Sequence, residues 1–360
     1  MNKREKALDI IRVISALLVV AVHVYTTPFH TAMAEHKATG IMTGAYIFYK
    51  IFRAIGELAI PIFLMLSGAF VFASDKTADY KNFNRKTWKK LCIPTIVFTV
   101  IYYVEGCFRL VISGLVERGD IKTMFLYETV STLYGQPESH MWYMYTFIGL
   151  NLLAPCIVIY KIAVGDNTFK KSIWILWIWG TISNILVPTE YYWSLGFVVN
   201  MLGLFMLGYV AHEWGKSKKG TKAGWLMLLA GIVIITIFAL MTVYLSDVAK
   251  LIGGTSPFSP MVGIAGFFIV AAFSSFDSNI ELGIIPASTF WVYLCHPLIM
   301  LIVFEIESKI LNIPYNEIGA EDKWIIPNIS LVIIVILSFA VGIIIERIVN
   351  AKLYRKKIAD

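Results

Sequence analysis

The chain has 360 residues, 58% of them hydrophobic and only 15% charged, with a formal net charge of +7 and a mean hydropathy of +0.71. Soluble domains carry roughly 25% charged residues, so this composition excludes a disordered chain, a nucleic-acid-binding domain and a small disulfide scaffold. It leaves an integral membrane protein, in which an excess of Lys and Arg marks cytoplasmic loops rather than a polyanionic partner.

Taken in chain order, the apolar runs predict about ten membrane helices. They fall at about Leu8–Pro28, Ala45–Ala73, Leu91–Ser113, Met141–Tyr160, Ile173–Val187, Leu195–His212, Trp225–Leu245, Met261–Phe276, Ile285–Phe304 and Ile325–Ile345. The fifth and eighth are short for a span of about 20 residues. The first lacks a small-residue cleavage site and reads as a span rather than a removable leader. With the N-terminus inside, one side holds 21 basic residues and the other nine, among them Lys3, Arg4, Arg118 and Lys323 in one tally or the other. That bias predicts both termini in the cytoplasm. Its weak point is the loop Asp277–Gly283, which has no Lys or Arg. The expected fold is all-α, a polytopic bundle forming a single integral-membrane domain over residues 1–360, with Gly114–Ser139 as its one long outer loop.

Charged groups inside a span cost about 2.5–3.5 kcal/mol each on insertion scales and tend to be functional. The first span has Arg12 and His23, eleven residues apart. Eleven helical steps return to within roughly 20° of the same face and rise about 16 Å. Arg12 thus sits low on a stripe that carries His23 at its outer end. The plain alternative is a snorkelling Arg and a core His. In the second span Lys50, Arg53 and Glu57 share a face, and Glu57 falls at a depth similar to His23. A carboxylate there would orient the imidazole, unless it only pairs with Arg53. Arg85, Lys86, Lys89 and Lys90 precede the third span, either as a phosphate cradle or as positive-inside anchoring. His140 and Trp142 open the fourth span, where an aromatic belt is the alternative. His296 lies in the ninth, followed by Pro297, where a helix-breaking proline that frees backbone groups favours a structural role over a functional one. The four cysteines lie in apolar stretches with no metal-ligand spacing, and no metal is expected.

The run LDIIRVISALLVVAVHV, with Arg12 and His23, resembles the first helix of the acyltransferase-3 family, the multi-span membrane O-acyltransferases of bacteria. AIPIFLMLSGAFVF, RKTWKKLCIP, HMWYMYTFIGLNLLAP, FMLGYVAHE and FWVYLCHPLIM resemble later landmarks of that family, so the likeness covers nearly the whole chain. The stretch after Arg85 departs from it, with lysines at Lys86, Lys89 and Lys90 where the family has more arginine. That weakens bidentate phosphate binding there. PIF in the second span follows the stand-alone branch, which lacks an extracellular hydrolase-like domain.

The resemblance implies a multi-pass protein of the inner (plasma) membrane that transfers an acyl group, acetyl first of all. The donor would be cytoplasmic acetyl-CoA and the acceptor a hydroxyl of an extracytoplasmic sugar in a surface polysaccharide, glycolipid or lipid-linked intermediate. His23 would be the base and Glu57 its partner. Arg12, Arg85, Lys86, Lys89 and Lys90 would hold the CoA phosphates, and Arg53, His140, Trp142 and His296 would meet the acceptor. Two other readings stay open: a transporter or flippase for a lipid-linked sugar or small anion, and a non-catalytic sensing or uptake module of the same family. A homo-oligomer is admitted but nothing in the sequence fixes it.

Overall fold

The computed structural model describes residues 6–112, 120–133, 138, 140–186, 195–254, 256–312 and 325–359, without the side chains of residues 111, 112, 121 and 352–359. The predicted span ends Ser113 and Val187, the basic residues Lys3, Arg4, Arg118 and Lys323, and much of the predicted loop Gly114–Ser139 lie outside the described residues. Among the described residues every regular element is helical. Long apolar runs require this, because backbone groups in hydrocarbon must be satisfied within their own segment.

The chain divides into two compact units: residues up to Ala73 with those from Lys170 onward, and Ser74–Phe169. The first unit opens with α1 (Lys6–Val24), α2 (Thr26–Thr39), α3 (Gly44–Gly56) and α4 (Ala59–Phe72). It resumes within α9 (Asp166–Leu186) and continues through α10 (Leu195–Ser217), α11 (Ala223–Tyr244), α12 (Ser246–Leu251), α13 (Pro260–Ser275), α14 (Ile285–Leu311) and α15 (Ile325–Ala359). The second unit holds α5 (Tyr80–Thr87), a π-helical turn at Trp88–Cys92, α6 (Ile93–Ile112), α7 (Ile121–Leu133) and α8 (Met141–Val164).

Eight helices among the described residues are long and apolar enough to cross a membrane. Two of the ten predicted spans fall short. α13 has 16 residues, about 24 Å against a hydrocarbon core of about 30 Å. α9 opens on Asp166, Lys170 and Lys171 and carries Thr181, Ser183 and Asn184. Helices also arise where the sequence predicted no span: the short α5 and α12, and the longer α2 and α7. α2 is a polar-faced helix closed by Gly40, whose φ of 71° ends it with an N–H bond to the His36 carbonyl. α7 lies inside the predicted long loop.

Burial follows from helix position. α11 exposes Trp225, Leu226, Leu229, Ile232 and Ile237, and α15 exposes Ile329, Val332, Ile336 and Ile344. Water-facing helices do not present such rows; lipid-facing ones do. The interior seams are made by small residues. A Cβ on Gly68 of α4 would overlap the Phe205 carbonyl of α10, and one on Gly208 would overlap the Met65 carbonyl. The two backbones therefore touch, which is how membrane helices gain dispersion contact without a hydrophobic drive.

One end of the first unit gathers Lys6, the α10–α11 turn and the loop after α13. Lys6 Nζ lies 2.7 Å from Glu281 Oε1, and Lys219 Nζ 2.8 Å from Asp277 Oδ1. The loop Asp277–Gly283, conspicuous for lacking basic residues, thus lies against two lysines. Lys6 hydrogen-bonds and charge-stabilises Glu281, holding its carboxyl below the usual range. α15 runs antiparallel to α14, with Trp291 Nε1 donating to Glu346 at 2.7 Å and Ser330 meeting Glu307. The late part of α15 therefore returns to the Lys6 end.

Candidate active site

α1 is unbroken from Lys6 to Val24, so Arg12 and His23 do occupy one helix, about 16 Å apart along its axis. Both are half-buried. Arg12 Nη1 lies 3.3 Å from Asp9 Oδ1 one turn below. His23 stands in the last turn, and the reason the helix ends there is Pro28. Pro28 has no N–H to offer the Val24 carbonyl, and its ring crowds that oxygen. The chain turns at Tyr25 and restarts as α2.

The same device interrupts the second span. Pro61 has no N–H for the Glu57 carbonyl, and the helix breaks at Glu57–Leu58 between α3 and α4. α1 and α3 meet at this level, since a Cβ on Gly56 would overlap the Val22 side chain. His23 and Glu57, each one residue further along, therefore share a depth, as their spacing from the span ends predicted. Glu57 is buried, at 8% exposure, and its Oε1 lies 3.8 Å from Arg53 Nε. Arg53 also covers the Phe29 ring at 5.1 Å.

A third proline shapes α14. Pro297 leaves the Tyr293 carbonyl without its usual helical donor, and His296 Nδ1 lies 2.9 Å from that oxygen and 3.1 Å from the Val292 carbonyl. Two acceptors on Nδ1 require it to carry the proton, so Nε2 holds the lone pair. His296 is fully buried, and its ring centroid lies 5.0 Å from that of His23, the planes tilted by 51°. The structure thus joins two histidines that the sequence had assigned to different tasks.

The α2–α3 hairpin and the turn before it add tyrosines that the sequence did not single out. Tyr25 donates to Asn328 Oδ1 of α15 at 2.7 Å and its ring lies 5.5 Å from that of Tyr49. The Tyr49 hydroxyl is buried with no hydrogen-bond partner among the described residues. Buried Lys50 donates to the Tyr46 hydroxyl at 2.7 Å and lies over its ring. Of the sequence signals, only Pro28 hints that the helix breaks beside Tyr25.

The remaining predicted residues belong to the second unit. His140 is buried at the start of α8, edge-on to Tyr102 with centroids 5.1 Å apart, and Trp142 packs edge-on to Tyr143. Arg85, Lys86, Lys89 and Lys90 are all exposed, beside Trp88. Lys89 and Lys90 fall in the π-helical turn, where Ile93 N bonds the Trp88 carbonyl. Pro94 cannot donate to Lys90, and the wider turn absorbs that loss.

Residues 5–347 match the family model described as an acyltransferase domain, acyltransferase-3. The chain belongs to the acyltransferase-3 family. No curated protein and no solved structure matches it significantly. The match takes in residues of both units, from below Arg12 to Arg347 within α15, so the histidine pair and the basic π-turn both lie within the acyltransferase domain. The protein is a membrane acyltransferase.

Proposed function

We propose that this acyltransferase moves an acyl group, acetyl in the first instance, from cytoplasmic acyl-CoA to a hydroxyl of a sugar on the outer side of the cell membrane. The observation that carries this reading is the His23–His296 pair, with ring centroids 5.0 Å apart at the far end of the stripe that bears Arg12. A basic nitrogen at one end and a permanent cation about 16 Å below suit a long donor whose phosphates and thioester lie at opposite ends. Arg12 takes the phosphates; in the second unit Arg85, Lys86, Lys89 and Lys90 form an exposed basic stretch of the kind that attracts a polyanion.

In the transfer step His23 accepts the proton of the acceptor hydroxyl. The freed oxygen attacks the thioester carbonyl, the C–S bond breaks, and the CoA thiolate leaves with the proton returned by His23. Two imidazolium charges 5.0 Å apart would repel by about 3 kcal/mol at an effective dielectric near 20. The pair therefore carries at most one positive charge, and His296, locked with its lone pair on Nε2, is the neutral neighbour. In the first unit Arg53 is assigned to the acceptor and Glu57 orients the base; in the second unit His140 and Trp142 carry the acceptor assignment. The Lys6 end faces the cytoplasm, by the basic bias of the loops.

The test has two parts. Purified protein in nanodiscs is given acetyl-CoA with candidate glycan acceptors, and free CoA thiol is followed. Surface glycans of cells with and without the gene are compared by mass spectrometry for ester-linked acetyl. Thiol release that depends on acceptor, with loss of the ester on deletion, supports the reading. An unchanged glycan profile and no thioester turnover would return the protein to the transporter class.

A further inference from the structure

α3 carries a polar stripe of its own. Tyr46, Lys50, Arg53 and Glu57 follow one another at intervals of four, three and four residues, which keeps them within about 60° around the helix. α3 runs antiparallel to α1, since Val22 packs on Gly56 while Tyr25 meets Tyr49 and Phe52 with ring centroids 5.5 and 4.9 Å apart. The stripe therefore begins at the end of the first unit away from Lys6. It descends about 16 Å to Glu57, the depth at which the α1 stripe, climbing from Arg12, ends at His23. Tyr46, Lys50 and Glu57 are buried and Arg53 is half-buried.

The charges on this stripe do not balance. Arg53 has Glu57 at 3.8 Å. Lys50, only 7% exposed, has neutral partners alone: the Tyr46 hydroxyl at 2.7 Å and the Tyr46 ring, whose centroid is 4.9 Å away. No carboxylate lies within 4 Å of its ammonium among the described residues. That ring is held in turn by His36, with centroids 4.2 Å apart. An ammonium has three N–H donors and Tyr46 takes one of them; the Tyr46 hydroxyl, accepting from Lys50, keeps its own proton to give. At the same level of α3 the Tyr49 hydroxyl is fully buried with no partner among the described residues. A buried cation without a counter-charge is costly, and an apolar side chain of that volume would pack there without the cost.

We propose that Lys50, with Arg53 below it, binds an anionic group of the acceptor, so that the sugar to be acylated is acidic: it, or the residue next to it, bears a carboxylate or a phosphate. The proposal rests on the acyl-transfer reading above and names the substrate class for that same site. Arg53 and Lys50 stand about 6 and 10 Å beyond Glu57 along the axis of α3, a span that the reacting sugar and its neighbour cover. The anion supplies the counter-charge that Lys50 lacks, whereas a neutral sugar leaves the ammonium uncompensated and is selected against. Arg53, already balanced by Glu57, adds fork geometry for a carboxylate or phosphate oxygen pair.

The experiment compares cells that carry no copy of the gene, the wild-type gene, Lys50→Met or Lys50→Arg, and maps ester-linked acyl groups on their surface glycans by tandem mass spectrometry. In wild type the ester should sit on an acidic residue or on its direct neighbour. Carbodiimide reduction of carboxyls and hydrofluoric acid cleavage of phosphodiesters then tell a uronate from a phosphate. Lys50→Met should lose the ester by about tenfold or more, the scale of one charged hydrogen bond, and Lys50→Arg, which keeps the charge, should retain most of it. Removing an uncompensated charge should leave the melting temperature of purified Lys50→Met in nanodiscs at or above that of wild type, which separates recognition from packing. An ester on a neutral stretch of glycan, a wild-type ester level in Lys50→Met, or early melting of that variant overturns the proposal and leaves the acyl-transfer reading standing. If deletion of the gene removes no ester, the acyl-transfer reading fails and this proposal with it.

Discussion

His296 keeps its Nδ1 2.9 Å from the Tyr293 carbonyl that Pro297 leaves without a donor, and its ring meets that of His23 at 5.0 Å. A proline in one helix thereby sets the tautomer of the imidazole that faces His23 on another. This makes the sequence pair His296–Pro297 a unit, and it can be dissected.

His23→Ala should lower acyl transfer by about 10²–10⁴-fold, the usual share of a general base, with an unchanged melting temperature. Pro297→Ala restores an N–H to compete for the Tyr293 carbonyl. That variant should fold at least as well as wild type yet lose activity by a smaller factor, because Nδ1 is no longer pinned. Acceptor-dependent CoA thiol release reads both. Full activity in Pro297→Ala would detach the tautomer lock from catalysis.

On the proposed reading Arg12 acts on the donor alone. Arg12→Ala should raise KM for acetyl-CoA by about tenfold or more, the scale of one charged hydrogen bond, while kcat at saturation holds. Arg12→Lys should recover part of it, since the charge stays but the fork is lost. An effect confined to kcat would place Arg12 with the reacting atoms instead.

Glu57 and Arg53, 3.8 Å apart and only 9% and 29% exposed in their side chains, should behave as a coupled pair. Glu57→Gln leaves Arg53 with less to balance it and should lower the melting temperature in nanodiscs. Adding Arg53→Met should restore part of the loss, because removing both partners of a desolvated pair costs less than removing one. If Glu57→Gln melts normally but transfers slowly, the carboxylate serves His23 more than Arg53.

The seam between α4 and α10 gives a packing control far from any proton transfer. Gly68→Ala and Gly208→Ala each put a methyl where a backbone carbonyl now sits, and overpacking of this kind costs about 1–3 kcal/mol or more. Both variants should melt early and should not add when combined, since one shift of the helices relieves both. Wild-type melting in either would mean that the helices separate freely.

Much of this was legible in the sequence because it rests on periodicity. Apolar runs of span length gave most of the long helices, and the eleven-residue spacing put Arg12 and His23 on one stripe before any coordinate was known. What stayed hidden depended on contact or on mixed composition. α2, with its His, Lys and Thr residues, has no apolar run to announce it. The breaks at Tyr25 and Glu57 follow from Pro28 and Pro61, but hydropathy runs straight through both. The meeting of His23 with His296 joins segments hundreds of residues apart, and no local pattern in one sequence encodes such a pairing. The Asp277–Gly283 loop looked anomalous only because its lysine partners lie elsewhere in the chain.

The π-helical turn at Trp88–Cys92 carries a consequence for how this chain can change. One surplus residue is stored in that turn, so everything before it is rotated by about 100° relative to a regular helix continuing from α6. Deleting a single residue there would convert the turn to ordinary helix without shortening the membrane-crossing part. Arg85 and Lys86 would then swing about a quarter-turn around the axis while α6 stays seated. A one-codon change in length is therefore a dial for the direction in which this basic surface points, one that no point substitution reproduces.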